Sequence, residues 1–132
     1  MKRILIADDS DSIRAVLKRH LDSNSSLTVC GEACDGVEAI EKAKQLDPDL
    51  VVLDLAMPKL NGAAAASVLK KEMPDVPIIL FTLYAKSVEN LGLAVGADII
   101  LAKSDGIQKL MQQIDDLFRT RSAIERDLAL PH

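Results

Sequence analysis

Short apolar runs alternate five times along the chain with stretches of helical periodicity. The runs are Ile4–Ala7, Leu27–Ala33, Leu50–Leu53, Ile78–Phe81 and Ile99–Ala102. Several of them are continuously apolar rather than alternating, which is typical of parallel strands covered on both faces. The pattern therefore predicts five strands in a sheet with both faces buried.

Amphipathic patterns after the first two runs predict two helices. Ser10 is a predicted N-cap of the first helix, and Asp35 followed by Glu38 is typical of a capping box that begins the second. The predicted apolar stripes consist of Ile13, Val16, Leu17 and Leu21 in the first helix, and of Val37, Ile40, Ala43 and Leu46 in the second.

Three more helices are predicted further along the chain. Gly62–Met73 contains four consecutive alanines, which are good helix formers. Ser87–Val95 is a shorter and weaker pattern that stops at Gly96, a typical helix terminator. The last helix has the clearest spacing, with an apolar stripe of Ile107, Leu110, Met111, Ile114, Leu117 and Phe118.

The repeated order of strand and helix predicts an α/β fold: a doubly wound, five-stranded parallel sheet with right-handed crossovers and helices on both faces. A length of 132 residues suits one domain. We expect that domain to span residues 1–119, and residues 120–132 to form a C-terminal helix extension or a tail.

Composition narrows the classes of function. A net charge of −4 argues against binding of duplex nucleic acid by this chain, because such binding needs a basic face. The apolar run in MKRILIADD is too short for a signal peptide, and no segment approaches a membrane span, so a cytoplasmic protein is expected. Cys30 and Cys34 would lie roughly 13 Å apart in one strand, beyond disulfide reach, and are interpreted as small buried hydrophobic residues.

Polar residues end four of the five predicted strands. Asp8 and Asp9 follow the first strand, Asp54 the third, Thr82 the fourth and Lys103 the fifth. Ligands of open α/β sheets bind outside the carboxyl ends of the strands, so these side chains are expected to share one site. The second strand lacks such a residue, as expected if it lies at an outer edge of the sheet.

The residue types at this edge suit phosphoryl transfer. Three carboxylates in one place repel one another and raise carboxylate pKa values, and a bound Mg²⁺ would remove that repulsion. A carboxylate can also act as the nucleophile that forms an aspartyl-phosphate, while a lysine and a hydroxyl stabilise the transferred group. No Walker motif or Gly-rich nucleotide cradle is found, so the phosphoryl donor is expected to be another protein.

These motifs together resemble the receiver domain of a two-component response regulator. The resemblance runs from Lys2 to about Arg119, and its motifs are Asp8-Asp9-Ser10, Asp54-x-x-Met57-Pro58-x-x-x-Gly62, Thr82 and Lys103. It implies a flavodoxin-like (βα)5 fold with strand order 2-1-3-4-5. The implied partner is a sensor histidine kinase or a phosphotransfer protein, with a homodimer or an output domain as a further possibility.

The resemblance also implies a role for each residue of the site. Asp54 corresponds to the phosphoacceptor, which also contacts the metal, and Asp8 and Asp9 correspond to the Mg²⁺-binding acids. The backbone carbonyl of Ala56 corresponds to a further metal ligand. Lys103 is implied to pair with the acceptor and then with the phosphoryl group. Thr82, likewise, corresponds to the switch hydroxyl that bonds the phosphate.

Three positions depart from the usual receiver pattern. Ile100 stands where many receivers have an aromatic residue that swings inward, so it does not allow the same readout. Leu83 and Ser104 resemble the residues of receivers that precede LuxR-type helix-turn-helix domains. Tyr84, two positions past Thr82, is a candidate for bordering the site and tuning hydrolysis.

The function predicted from the resemblance is a phosphorylation-activated receiver in a phosphorelay, a signalling phosphoacceptor rather than an enzyme with turnover. Two alternatives stay open. One is a degenerate receiver that acts only as a protein-interaction module. The other is a small Mg²⁺-dependent aspartyl phosphatase of the haloacid-dehalogenase kind, although that class uses a D-x-D motif and Asp8 and Asp9 are adjacent.

Overall fold

Five parallel strands form a single sheet in a computed structural model that describes residues 1–86 and 96–129. The strands are β1 (Lys2–Ala7), β2 (Leu27–Ala33), β3 (Leu50–Leu53), β4 (Ile78–Thr82) and β5 (Ile99–Ala102). Their order across the sheet is β2-β1-β3-β4-β5, which confirms the predicted doubly wound fold. The placement of β2 at an outer edge is confirmed as well.

Four helices and a 3-10 turn accompany the strands in the described residues. They are α1 (Asp11–Asp22), α2 (Gly36–Leu46), α3 (Gly62–Glu72), the 3-10 turn Lys103–Asp105, and α4 (Ile107–Ala129). The predicted helix Ser87–Val95 lies outside the described residues. Gly96, its predicted terminator, has a φ of 86°, a left-handed conformation that favours glycine.

Each face of the sheet carries its own core because successive strand residues point to opposite sides. One cluster combines Leu5, Val51 and Leu80 with alanines of α2 and α3. The other combines Ile4, Val52 and Ile79 with apolar residues of α1 and α4, namely Leu17, Leu21, Leu110 and Ile114. All four residues of β3 are buried, which explains their unbroken apolar character.

Side chains that cap the helices fix where each one begins. Ser10, Asp35 and Asn61 each accept a hydrogen bond from a backbone N–H in the first turn of the helix that follows. The capping box of α2 differs from the prediction in one contact, since Glu38 Oε1 accepts from the backbone N–H of Cys34, 3.2 Å away, rather than from Asp35.

Three predicted burial assignments are wrong. Val16 and Val37 are exposed, because each lies at the border of its apolar stripe and faces solvent rather than the sheet. Cys34 is exposed too, since it follows the end of β2 instead of lying within it. Cys30 is half-buried and falls at an irregularity of β2, where the pairing with β1 skips from Val29 to Gly31.

Within residues 1–86 and 96–129, no helix combines the length and the apolar character that crossing a membrane requires. Helix α4 runs without a break through residues 119 and 120.

Candidate functional site

The carboxyl edge of the sheet brings together side chains from four strand ends. Asp8 follows β1, Asp54 follows β3, Thr82 is the last residue of β4, and Lys103 follows β5. Adjacent parallel strands that end at similar heights deliver Asp8, Asp54 and Lys103 to one cleft of about 410 Å³, and Thr82 is fully buried beside it. Its lining comprises Asp8, Asp9, Ser10, Ile13, Asp54, Ala56, Leu83, Tyr84 and Lys103.

Three carboxylates form the acidic part of the cleft. Asp8, Asp9 and Asp54 each offer an oxygen, and these oxygens lie within 4.8 Å of one another. Asp8 and Asp54 are only 2% and 7% exposed, whereas Asp9 is exposed at the mouth. Two acids are thus anchored by the fold, and the third faces solvent, from which an ion would arrive.

Lys103 provides the cation of the cleft. Its Nζ lies 2.7 Å from Asp8 Oδ2 and 3.5 Å from Asp54 Oδ2, so one ammonium group contacts two carboxylates. The other carboxylate oxygen of Asp8, Oδ1, accepts a hydrogen bond of 2.9 Å from the Ser10 backbone N–H. Both oxygens of Asp8 are therefore held in place.

The environment of Asp54 raises the pKa of its carboxyl group. Burial is the larger cause, and the negative charge of Asp8 adds to it. Lys103 and a hydrogen bond from the Thr82 side chain act in the opposite direction without cancelling the rise. The ionised Asp54 is therefore in an unfavourable state, which an added positive charge would relieve.

Thr82 lies directly beside this acid. Its side chain is fully buried, and its hydroxyl hydrogen-bonds Asp54. The same oxygen, Oγ1, accepts from the Tyr84 backbone N–H at 3.2 Å. The loop after β4 is thereby linked to Asp54 through a single hydroxyl group.

The loop from β3 to α3 leaves little freedom around Asp54. The Asp54 backbone N–H donates to the Ala7 carbonyl at 2.9 Å, and the Gly62 N–H donates to the Leu55 carbonyl at 2.8 Å. A Cβ atom added at Gly62 would lie 2.0 Å from the Asp54 carbonyl oxygen, so only glycine allows this close approach. Lys59 takes a positive φ of 66° in the same loop.

The donor set fits Mg²⁺. Carboxylate and carbonyl oxygens are the ligands of hard cations, and Mg²⁺ is commonly held by one or two carboxylates with several waters. Asp8, Asp9 and Asp54 provide the carboxylates, and Ala56, whose carbonyl is the predicted further ligand, lines the same cleft.

The residues predicted to form the site, namely Asp8, Asp9, Asp54, Ala56, Thr82 and Lys103, lie at this edge, and two further residues contact it. Ser10 was predicted only as an N-cap, yet its backbone N–H also binds Asp8. Arg14 has no role predicted from the sequence, although its guanidinium donates to the Asp8 carbonyl oxygen at 2.6 Å. The spacing of Asp11 and Arg14, three residues apart on a helix, indicates the ion pair between these two side chains but not the bond to the Asp8 carbonyl.

Ile100, the position that departs from the receiver pattern, is half-buried in β5 and packs against the core on the α2 and α3 side of the sheet. Leu83 and Tyr84, in contrast, are exposed at the mouth of the cleft.

Comparisons with known proteins find relatives in sequence and in fold. Residues 4–115 match the family described as "Response regulator receiver domain". A protein-glutamate methylesterase/protein-glutamine glutaminase of Pyrococcus abyssi is 40% identical over 117 residues, which cover 86% of this chain. The chain spans only 32% of that relative's length.

Two solved structures are similar over nearly the whole chain. The response regulator protein TrrA of Thermotoga maritima, in complex with Mg²⁺ and BeF, has a TM-score of 0.80 and 34% identity, covering 89% of this chain and 99% of that one. A LuxR-family two-component response regulator from Aurantimonas sp. SI85-9A1 has a TM-score of 0.84 and 26% identity, covering 91% of this chain and 86% of that one.

Proposed function

The chain belongs to the response regulator receiver domain family of two-component signalling, and from that premise we propose that it accepts a phosphoryl group on Asp54. The donor is a phosphohistidine of a sensor kinase or phosphotransfer protein. The observation that carries the proposal is the state of Asp54: a buried carboxylate with a raised pKa, 3.5 Å from the ammonium of Lys103 and grouped with two further acids.

The proposed reaction is a single displacement at phosphorus. A carboxylate oxygen of Asp54 attacks the phosphorus atom, and an O–P bond forms while the P–N bond to the donor imidazole breaks. The electron pair of the broken bond returns to the imidazole nitrogen. The product is an acyl phosphate on Asp54 and a free histidine on the partner.

Residues of this chain stabilise the transferred group in this scheme. Lys103, which already contacts Asp54, offers its ammonium to the phosphoryl oxygens, and Thr82 offers a hydroxyl donor. Mg²⁺, held by Asp8, Asp9, Asp54 and the carbonyl of Ala56, would supply neutralising charge for the same oxygens.

A change of partner-binding surface follows from the new charge. Phosphorylation of Asp54 would attract Thr82, the last residue of β4, and Lys103, the first residue after β5. The outer surface of β5 and α4 responds to that movement. Ile100 lacks the aromatic ring that many receivers move at this point. We infer that Leu83 and Tyr84, which are exposed and directly follow Thr82 in the chain, contribute to the surface that changes.

The test is intact-mass measurement after incubation with acetyl phosphate and Mg²⁺. The wild-type chain gains one phosphoryl group, and Asp54→Asn does not. Asp115→Asn is the matched control, because Asp115 is an exposed acid of α4 that pairs with Arg119 away from the cleft. A wild type without the added mass, or an equal gain in Asp54→Asn, refutes the acceptor assignment.

The proposal assigns acceptor chemistry to this chain and no turnover of a small substrate. Release of phosphate from a small phosphate ester at a constant rate would contradict it and favour the phosphatase alternative. An unphosphorylated chain that also shows no NMR shifts near Asp54 on Mg²⁺ titration would favour the interaction-only alternative.

A further inference from the structure

We propose that Arg14 is a positioning residue for the cation site, acting through the backbone that carries Asp8 and Asp9. This inference rests on the proposed function, because it concerns the same Mg²⁺ site. Among the described residues, the guanidinium of Arg14 contacts the Asp8 carbonyl oxygen, Asp11 and Glu32, and none of the three carboxylates of that site. It binds the main chain beneath them, through the Asp8 carbonyl oxygen.

The guanidinium of Arg14 joins three parts of the fold. Nη1 donates to the Asp8 carbonyl oxygen at 2.6 Å, Nη2 contacts the Asp11 carboxylate, and Nε lies 3.3 Å from Glu32 Oε1. Asp8 follows β1, Asp11 begins α1, and Glu32 belongs to β2. The planar fork of an arginine can serve such separate acceptors at once, and the side chain is mostly buried while it does so.

The Asp8 backbone is held from its other side as well. Its N–H donates to the Ala33 carbonyl at 3.0 Å, so β2 holds the amide while Arg14 holds the carbonyl. Beyond that carbonyl the chain turns through Asp9 into the N-cap Ser10. Without Arg14, the peptide between Asp8 and Asp9 loses the contact at its carbonyl. The Asp9 carboxylate then loses its fixed position relative to the Asp8 carboxylate, which Lys103 and Ser10 still hold.

A role of Arg14 through its charge and a role through positioning predict opposite changes in Mg²⁺ affinity when Arg14 is removed. In terms of charge alone, the loss of a cation leaves Asp11 and Glu32 uncompensated, makes the region more negative and strengthens Mg²⁺ binding. Positioning predicts weaker binding, because partners that orient metal ligands typically contribute about 10–100-fold in metal affinity. A purely structural role lowers the unfolding temperature and leaves the Mg²⁺ dissociation constant unchanged.

The experiment is a Mg²⁺ titration of the whole chain by calorimetry, in wild type, Arg14→Met and Arg14→Lys. Arg14→Met is expected to raise the dissociation constant about 10-fold. Arg14→Lys keeps the charge without the fork, so its dissociation constant is expected to fall between the other two. The control is Arg119→Met, which removes an exposed arginine of α4 and is expected to leave Mg²⁺ binding unchanged.

Phosphorylation by acetyl phosphate gives the second readout. At saturating Mg²⁺ the rate for Arg14→Met is expected to approach that of wild type, while at low Mg²⁺ it is expected to fall. A dissociation constant equal to or below that of wild type in Arg14→Met overturns the inference. If that variant does not fold, the same result in Arg14→Lys overturns it.

The two proposals fail in different ways. A wild type that binds Mg²⁺ but gains no phosphoryl group overturns the acceptor function, while the dissociation constants still decide the role of Arg14. A phosphorylated wild type with unchanged Mg²⁺ binding in the Arg14 variants overturns the positioning role alone. A wild type that binds no Mg²⁺ overturns the inference and the metal part of the proposed function together.

Discussion

Replacing Lys103 with methionine tests whether one ammonium group holds the acidic cleft together. The substitution leaves Asp8 and Asp54 buried without their shared cation. Loss of one partner from a buried ion pair destabilises a protein by about 3–5 kcal/mol. Because Lys103 is partly exposed and Asp9 opens to solvent, we expect the lower end, about 3 kcal/mol. For a chain of this size that is a fall in Tm of roughly 10 °C.

The assay is urea unfolding followed by circular dichroism, at pH 7 with EDTA present. Lys44→Met is the matched control, since its Nζ lies 2.9 Å from Glu72 Oε2 in a pair that is about half exposed on both sides. Exposed pairs contribute about 0–1 kcal/mol, so the control should change little. The loss in Lys103→Met should shrink as the pH falls through the pKa of Asp54, because protonation removes one of the unpaired charges. Added Mg²⁺ should restore part of it.

The reasoning is refuted if Lys103→Met loses no more stability than Lys44→Met at pH 7. It is also refuted if the double variant Lys103→Met/Asp54→Asn is no more stable than Lys103→Met, because removing one of the crowded charges should recover part of the loss.

Three further results follow from the site. Asp54→Asn should stabilise the metal-free fold at pH 7, because the folded state raises the pKa of Asp54. The gain in unfolding free energy is absent below the ordinary aspartate pKa of about 3.9 and grows as the pH rises from there to the folded-state pKa of Asp54. Equal urea midpoints for Asp54→Asn and wild type at pH 7 would contradict this. Gly62→Ala should destabilise by about 1–3 kcal/mol because its Cβ would lie 2.0 Å from the Asp54 carbonyl oxygen; a neutral effect in urea unfolding would show that the loop adjusts freely. Tyr84→Ala should open the cleft to water and shorten the lifetime of phosphorylated Asp54 severalfold, as followed by intact mass over time, and an unchanged lifetime would exclude a screening role.

The strands are predictable from the sequence because each contains a short apolar run, and the runs of β1, β3 and β4 are unbroken and buried. The bounds of β2, β3 and β5 match the expected runs, and β4 extends the expected run by Thr82 alone. The location of the site could be predicted from the strand ends. Once the strands are assigned as parallel, the residues at their carboxyl ends all lie at one edge of the sheet. The identity of the residues then indicated the chemistry.

Other features depend on contacts that periodicity does not encode. Val16 lies on the helical stripe by spacing, but whether a border position is covered depends on the width of the packed face. The contact of Arg14 with the Asp8 carbonyl joins a side chain to a main-chain atom, and no pattern of residue types specifies such a bond.

Helix α4 connects the cleft to a distant part of the protein surface. It begins at Ile107, directly after Gly106 and the turn that carries Lys103, and it is about 35 Å long at 1.5 Å per residue. Its apolar contacts with the core run from Ile107 to Phe118, and the helix continues from there to Ala129. At 1.5 Å per residue that extension is about 16 Å long, so a tilt of about 5° at Phe118 would displace the end of the helix by roughly 1.4 Å. One continuous helix thus connects the turn that carries Lys103 to a part of the surface outside the cleft.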